Sequence, residues 1–357
     1  MSYRVVQWAT GNLGRAAVEG ILSHPELTLA GVWVHSDDKA GRDAGEVCGI
    51  GPIGITTTQR IEDVVALAPD CVLYSPLLPI ADEVVTLLAA GINVVTPLDW
   101  FYPEPARAEA VAKACAEGGS TLFGTGIHPG GMTEQIPLVL SAFSREITHV
   151  KCEEFSDCRS YGAIDVLQHI MLFGKSEEVA KRSSMLNLLG GGFSQSIRMI
   201  ADALGFRLDP EISTRHDIGL ATAKIEVPFG TIEPGQLAAQ RFIWQGNVGG
   251  EPVVTAAVNW FMGTEDIDAD WLDPANGEGY FMEVTGDPPV RVSLAGVHPD
   301  GTTTLEEVRK RNPGMVATAI HCVSAIPYVC AAEPGIRTYL DLPLVAGRAA
   351  PRLGGTD

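Results

Sequence analysis

Three features of this chain predict an α/β fold in which a parallel-sheet domain is joined to a second, α+β domain. A short apolar run, Tyr3–Trp8, passes directly into the turn Ala9-Thr10-Gly11-Asn12-Leu13-Gly14 and then into an Ala-rich helical stretch. Strand and helix signals alternate over residues 1–150. From about Lys151 the alternation gives way to strand-like runs without helices between them. Alternation implies parallel strands with right-handed helical crossovers, whereas consecutive strands imply an antiparallel or mixed sheet.

The elements follow in order. A helix is expected near Gly14–Ser23 and a second strand over Leu27–His35. Helix Ile61–Ala68, strand Cys71–Tyr74, helix Ala81–Ala90 and strand Asn93–Thr96 come next, then helix Ala106–Glu117, stopped by Gly118-Gly119, and strand Thr121–Phe123. This is a Rossmann-type order, and ligands of such sheets sit beyond the carboxyl ends of the strands. Those ends carry polar, Gly- and Pro-rich segments: Ala9–Asn12, His35–Lys39, Tyr74-Ser75-Pro76, Thr96–Trp100 and Gly124–Gly131. They are expected to line one crevice.

In the second domain, helical stretches at Ile164–Phe173, Glu177–Asn187 and Ser194–Leu204 precede strands at Ala221–Val227, Gln236–Gln245, Val253–Trp260, Gly279–Val284 and Val290–Leu294. The apolar segment Gly314–Ile326 is expected to return to the first domain. The expected division is therefore 1–150 plus 313–345 for dinucleotide binding, 151–312 for substrate and dimerisation, and a loosely ordered tail at 346–357.

Composition narrows the function classes. Hydrophobic residues make up 46% and charged residues 19%, values of a soluble globular chain, and no apolar run is expected to form the ~18-residue membrane span. The N-terminus lacks signal-peptide order, so a cytoplasmic protein is expected. With 25 basic and 44 acidic residues the net charge is −19, which argues against nucleic acid as a partner, because phosphate neutralisation needs a basic surface. Seven cysteines without a C-x-x-C pair suggest reduced, mostly buried thiols and no zinc or other metal.

The opening turn matches the dinucleotide fingerprint G-x-G-x-x-G with Ala9 in the first glycine position. Gly11 lets backbone amides approach a pyrophosphate and Gly14 lets the helix pack closely, so Thr10, Gly11, Asn12, Leu13 and Gly14 are candidate cofactor residues. After the second strand His35 and Ser36 stand where an acidic residue would grip an NAD ribose, with Lys39 and Arg42 following. NADP is therefore the preferred cofactor, with NAD also open because Asp37 and Asp38 lie alongside. Ser75, Pro76 and Gly126 complete the cofactor set.

Asp99 follows the fourth strand among Leu98, Trp100 and Phe101. It is either a proton-handling carboxylate beside the nicotinamide or a loop aspartate capping the segment before Pro103. Trp100 and Tyr161 are candidate substrate contacts, with a buried, satisfied tyrosine the alternative for Tyr161. Met171, Phe173, Met185, Phe193, Met199 and Phe206 line a substrate pocket or form ordinary core. His128 is read as structural.

With these residues in view, the chain resembles the dihydrodipicolinate-reductase-like superfamily, and more closely its nicotinamide-dependent amine dehydrogenase branch, which includes diaminopentanoate dehydrogenase. The resemblance is carried by Gln7–Gly14, Gly41-Arg42-Asp43-Ala44-Gly45, Tyr102-Pro103, Gly124–Gly130, Asn312-Pro313-Gly314 and Ala325-Ile326-Pro327. It implies a Rossmann domain plus an α+β domain, a homodimer, and reductive amination of a carbonyl or its reverse. The reductases carry a paired-His motif followed by Lys that is missing here. The amine dehydrogenases use a glutamate before the Tyr-Pro pair, where this chain has Asp99, one methylene shorter.

The expected function is thus an NAD(P)H-dependent oxidoreductase acting on a small molecule, most concretely an amine dehydrogenase with Asp99 handling protons. A carbonyl or enoyl reductase needing no ammonia and a non-catalytic NADP sensor are the alternatives.

Overall fold

In the computed structural model, residues 2–272, 278–295, 306, 312–350 and 353 are described. The chain divides into two compact units, Met1–Gly131 with Met315–Asp357, and Met132–Gly314.

The first unit begins β1 (Tyr3–Trp8), α1 (Asn12–Ser23), β2 (Leu27–Trp33), α2 (Ala44–Cys48), α3 (Ile61–Ala66), β3 (Cys71–Tyr74), α4 (Ala81–Ala89), β4 (Asn93–Thr96), α5 (Pro105–Gly118) and β5 (Thr121–Gly124). The strands are short, and Val5, Val6, Cys71–Tyr74, Val94 and Val95 are fully buried, as expected of a parallel sheet covered on both faces. Pro105 opens α5, where its missing N–H is no loss, and Gly119 closes it at φ 64°.

A π-helical turn over Gly131–Gln135 leads into the second unit, which continues with α6 (Ile136–Ser141), β6 (Arg145–Asp157), a second π-turn (Val166–Ile170), α7 (Glu177–Ala180) and α8 (Met185–Leu204). Strands β7 (Ser213–Ala221), β8 (Ile225–Val227), β9 (Gly230–Ile232), β10 (Leu237–Val248), β11 (Glu251–Phe261), β12 (Ile267–Asp268), β13 (Gly279–Asp287) and β14 (Val290–Leu294) follow. They build a mixed sheet of order β12-β7-β10-β11-β6-β13-β14, in which β6 and β11 run parallel and the other pairs antiparallel. The chain then enters α9 (Pro313–Cys330) and β15 (Gly335–Arg337), which pairs parallel with β5. The first-unit sheet thus has the order β15-β5-β4-β3-β1-β2, and its direction of winding reverses between β1 and β3.

Several expectations are corrected. Residues 132–150, assigned by sequence to the first domain, belong to the second unit, where 145–150 open β6 of its sheet. The break expected between helices at Asn187 and Ser194 is absent, because α8 runs through Gly190-Gly191-Gly192. A β-carbon on Gly190 would lie 2.8 Å from Trp244 Nε1, and the Trp244 ring stacks on Phe193 at 4.6 Å. That contact outweighs the helix penalty of glycine, about 1 kcal/mol per residue. The run read as one strand, Ala221–Val227, is the end of β7 plus β8, which pairs with β9.

Helix α9 is also long and apolar enough to cross a membrane by composition, with mean hydropathy 1.4 over 18 residues, contrary to the sequence reading. Its Ala319, Cys322, Val323, Ile326 and Val329 instead pack into one cluster with Val5, Ala17, Val18 and Ile21. Of the tail, Ala346 and Arg348 are tied to the Tyr328 hydroxyl and Arg348 to Glu26, so the expected loose order does not start at Ala346. Residues 351, 352 and 354–357 lie outside the described residues.

Candidate functional site

The site in the first unit is built at the winding reversal. Trp8 ends β1 with its ring stacked on Trp33 at 4.3 Å and beside Tyr74 at 5.5 Å, giving the turn above it a rigid aromatic floor. Ala9 then takes φ 75°, the left-handed backbone for which glycine is usual; a methyl is the smallest side chain that fills the position. Gly14 is required by contact, since a β-carbon there would lie 2.1 Å from the Ala9 carbonyl oxygen. Gly11 faces open space and caps α1 without any side-chain hydrogen bond, so the first-turn N–H groups of α1 lack a capping side chain. This is the arrangement a pyrophosphate requires, and the residues present fit a dinucleotide.

Gln7, quoted in the sequence motif but given no role, organises the turn. Its side-chain Nε2 donates to the carbonyls of Trp8 and Ala9 at 2.9 and 3.0 Å and to Ser75 Oγ at 2.9 Å. Ser75 donates in turn to Trp8 O at 3.1 Å, which fixes Ser75 and Pro76 at the reversal point.

Lys39 Nζ lies 3.5 Å from Thr10 Oγ1, bringing the cation after β2 onto the glycine turn. The loop is held by Thr57 Oγ1, which donates to the carbonyls of Lys39 and Arg42. Asp37 Oδ1 accepts from Gln59 Nε2, which also donates to the His35 carbonyl, so one of the two neighbouring aspartates is engaged within the loop. The Gly41–Gly45 motif has a structural role. The Asp43 carboxylate accepts from the amides of Gly45, Glu46, Ile53 and Gly54, and these bonds, led by that of Ile53, hold its carboxyl below the usual range.

Asp99 lies between β4 and α5. Its Oδ1 accepts from the Trp100 amide at 2.7 Å and its Oδ2 faces Arg107 at 3.5 Å, with the aspartate side chain 23% exposed. The bond to the Trp100 amide lies within the segment before Pro103, as the loop-capping alternative expects, while the cap position of α5 is Glu104. Gly124 admits this loop, for a β-carbon there would lie 2.3 Å from the Asp99 carbonyl oxygen. Trp100, expected against substrate, is 6% exposed, adopts φ 60° and packs in the core with Trp8 and Val84. It is a core residue.

Beyond β5, Gly130 folds back on Gly126, where a β-carbon would meet the Gly126 carbonyl oxygen at 2.2 Å, and the His128-Pro129 peptide is cis. The His321 ring lies against Gly131, and His321 Nε2 pairs with the Tyr339 hydroxyl at 2.5 Å, which also pairs with Thr125 Oγ1. Burial pushes the His321 imidazole down to about 4. Neither His321 nor Tyr339 was singled out by sequence reasoning.

In the second unit Glu134 is fully buried in the π-turn. Ser196 Oγ lies 2.5 Å from its Oε1, and burial pushes its carboxyl up to about 8. Tyr161, the other substrate candidate, is partly buried at the border of a cluster containing Leu167, Met171 and Phe173. Met171, Phe173, Met185, Phe193 and Met199 are buried core, and Phe206 is partly buried. Among the described residues no group of His, Cys, Asp and Glu is arranged for a metal.

Comparison with known proteins adds to this geometry. Residues 132–350 match the 2,4-diaminopentanoate dehydrogenase C-terminal domain, and residues 5–95 the N-terminus of dihydrodipicolinate reductase. An amine dehydrogenase of Streptomyces virginiae is 32% identical over 360 residues, covering 95% of this chain and 96% of that protein. The 2,4-diaminopentanoate dehydrogenase of Acetoanaerobium sticklandii is 25% identical over 332 residues, covering 92% of this chain and 86% of that protein. The structure of an amine dehydrogenase from Mycobacterium smegmatis superposes with a TM-score of 0.77 at 19% identity, covering 98% of each chain, a likeness of fold.

Proposed function

Since the chain belongs to the 2,4-diaminopentanoate dehydrogenase family and is an NAD(P)-dependent oxidoreductase acting on amines or carbonyls, we propose that it catalyses reductive amination of a small carbonyl compound or the reverse deamination, with NADP(H) preferred. The observation that carries this reading is the glycine turn: first-turn amides of α1 without a capping side chain, and Lys39 3.5 Å from Thr10. Thr10–Gly14 would hold the pyrophosphate, and Lys39 with Thr10, His35 and Ser36 the phosphorylated ribose. Ser75, Pro76 and Gly126 border the remaining path. Bound there, the nicotinamide supplies or accepts a hydride.

Asp99 is the proposed proton carrier. Its Oδ2 takes the proton that an amine loses as the C–N bond forms and returns it in the reverse direction. Arg107, 3.5 Å away, and the Trp100 amide hold that carboxylate in one orientation. Tyr161 is the proposed substrate contact of the second unit. A homodimer is part of the proposed reading, and seven free cysteines support a reducing compartment such as the cytoplasm.

The test is turnover with NADPH or NADH on aliphatic aldehydes and ketones, with and without ammonium. Asp99→Asn is expected to abolish amination while leaving NADPH affinity near wild type; unchanged turnover removes Asp99 from the mechanism. Ketone reduction that persists without ammonium replaces the amination reading by simple carbonyl reduction.

A further inference from the structure

A carboxylate set among packed neighbours is ordinarily matched by a cation, because leaving its charge unpaired there is unfavourable. The second-unit sheet follows this rule at Glu153, which meets Lys151 at 2.5 Å, at Asp157, which meets Arg159 at 2.5 Å, and at Asp217, which meets Arg241 at 2.6 Å. Glu154 departs from it. Among the described residues no lysine, arginine or histidine lies within ion-pair reach of Glu154. Its Oε1 accepts two neutral donors, Ser156 Oγ at 2.7 Å and Trp260 Nε1 at 3.2 Å.

The register explains what surrounds it. Glu154 lies opposite Tyr280 on β13, and Ser156 opposite Trp260 on β11, so the period of two puts all four side chains on one face of the sheet. Glu154, Ser156, Trp260 and Tyr280 each keep partial solvent access, whereas Cys152 and Val258 on the same face are buried. The Trp260 ring is held edge-on by Phe242 at 5.7 Å and, like Tyr161, borders the apolar cluster of Met171 and Phe173. A reachable carboxylate, fixed by two donors on one oxygen and walled by aromatic and apolar surface, matches one ligand chemistry: an ammonium group on an apolar chain.

We propose that the second unit carries a binding site for an organic ammonium, with Glu154 as its counter-charge and Trp260 and Tyr280 as its walls. Burial pushes the Glu154 carboxyl up, and a bound cation would offset that desolvation. The proposal rests on the reading that this enzyme handles amines, and it specifies which group recognises them.

The probe is hexylammonium, with hexan-1-ol as its uncharged counterpart, titrated into the full-length protein by calorimetry near neutral pH. Wild type is expected to bind hexylammonium at least about tenfold more tightly than the alcohol, the size of one charge-assisted hydrogen bond. Glu154→Gln keeps an acceptor for Ser156 and Trp260 but removes the charge, and should bring the two affinities together. Glu154→Asp keeps the charge and should retain most of the preference, which separates loss of charge from a loosened sheet. A wild type without the preference, or a Glu154→Gln variant that keeps it, overturns the proposal. Amine turnover is measured in parallel: a preference without turnover sinks the amination reading alone, and turnover without a preference sinks only the ammonium site.

Discussion

The carbonyl oxygen of Ala9 lies 2.1 Å from the point a β-carbon on Gly14 would occupy, whereas the equivalent point on Gly11 has, its own chain neighbours aside, nothing described within 4 Å. Two glycines of one motif therefore answer to different constraints: Gly14 to folding, and Gly11, on the proposed reading, to the ligand. Gly14→Ala is expected to destabilise the protein by about 1–3 kcal/mol, because the blocking atom is backbone and cannot swing aside. Gly11→Ala should melt like wild type yet bind NADPH more weakly. Thermal melts and cofactor titrations of the two variants check the contrast.

Lys39 gives a test of cofactor choice. Lys39→Ala removes the cation beside Thr10 and should weaken NADPH binding roughly tenfold to a hundredfold, the worth of a charge-assisted contact, while NADH affinity stays within about twofold. Equal losses for both cofactors would place Lys39 away from the 2′-phosphate.

Gln7 ties the turn to the strand beneath it. Gln7→Leu removes the donor shared by Trp8 O, Ala9 O and Ser75 Oγ, and is expected to destabilise the fold by about 1–3 kcal/mol. NADPH affinity should fall with it, since Ala9 and Ser75 flank the proposed binding path. Urea denaturation and fluorescence titration report the two effects separately.

Glu134 and His321 set opposing pH dependences of stability. With its folded value raised from 4.5 to about 8, Glu134 keeps a proton that the unfolded chain has released, so its contribution falls as pH rises between those values. His321, lowered from 6.5 to about 4, stays neutral where the unfolded chain is protonated, so its contribution rises with pH over that window. The two slopes offset one another between about 4.5 and 6.5 and leave a net fall from there to about 8. Denaturation at pH 6 and pH 8.5 should show this fall in wild type. Glu134→Gln should recover up to about 2–3 kcal/mol of it at the higher pH.

How much of this was legible in the sequence depends on the distance over which each feature is determined. Strands β3, β4 and β14 match their expected bounds; the first two are short and largely buried, with an apolar centre that leaves little room for another reading. Strand β6 escaped notice because RE-I-TH-V-K-C-EE looks polar, and only cross-strand partners such as Tyr280 and Met282 show which face each residue takes. The glycine turn was legible because its steric logic lies within eight residues. Glu134 and Ser196 are 62 positions apart, Glu154 and Trp260 are 106 apart, and His321 meets Tyr339 18 residues on, so their chemistry exists only after folding. Trp100 misled for a related reason: its position beside Asp99 suggested the ligand, while its left-handed backbone turns the ring into the core.

The late return of α9 bears on how the protein is made. Met132–Gly314 is one uninterrupted stretch, so that unit can close as soon as it has been synthesised. The first unit cannot. Until the ribosome has released α9 and β15, Val5, Ala17, Val18 and Ile21 lack the Ala319–Val329 surface that covers them, and β5 has an open edge. Val5, Ala17, Val18 and Ile21 are therefore synthesised well before the surface that buries them, and their apolar face stays uncovered until α9 has emerged.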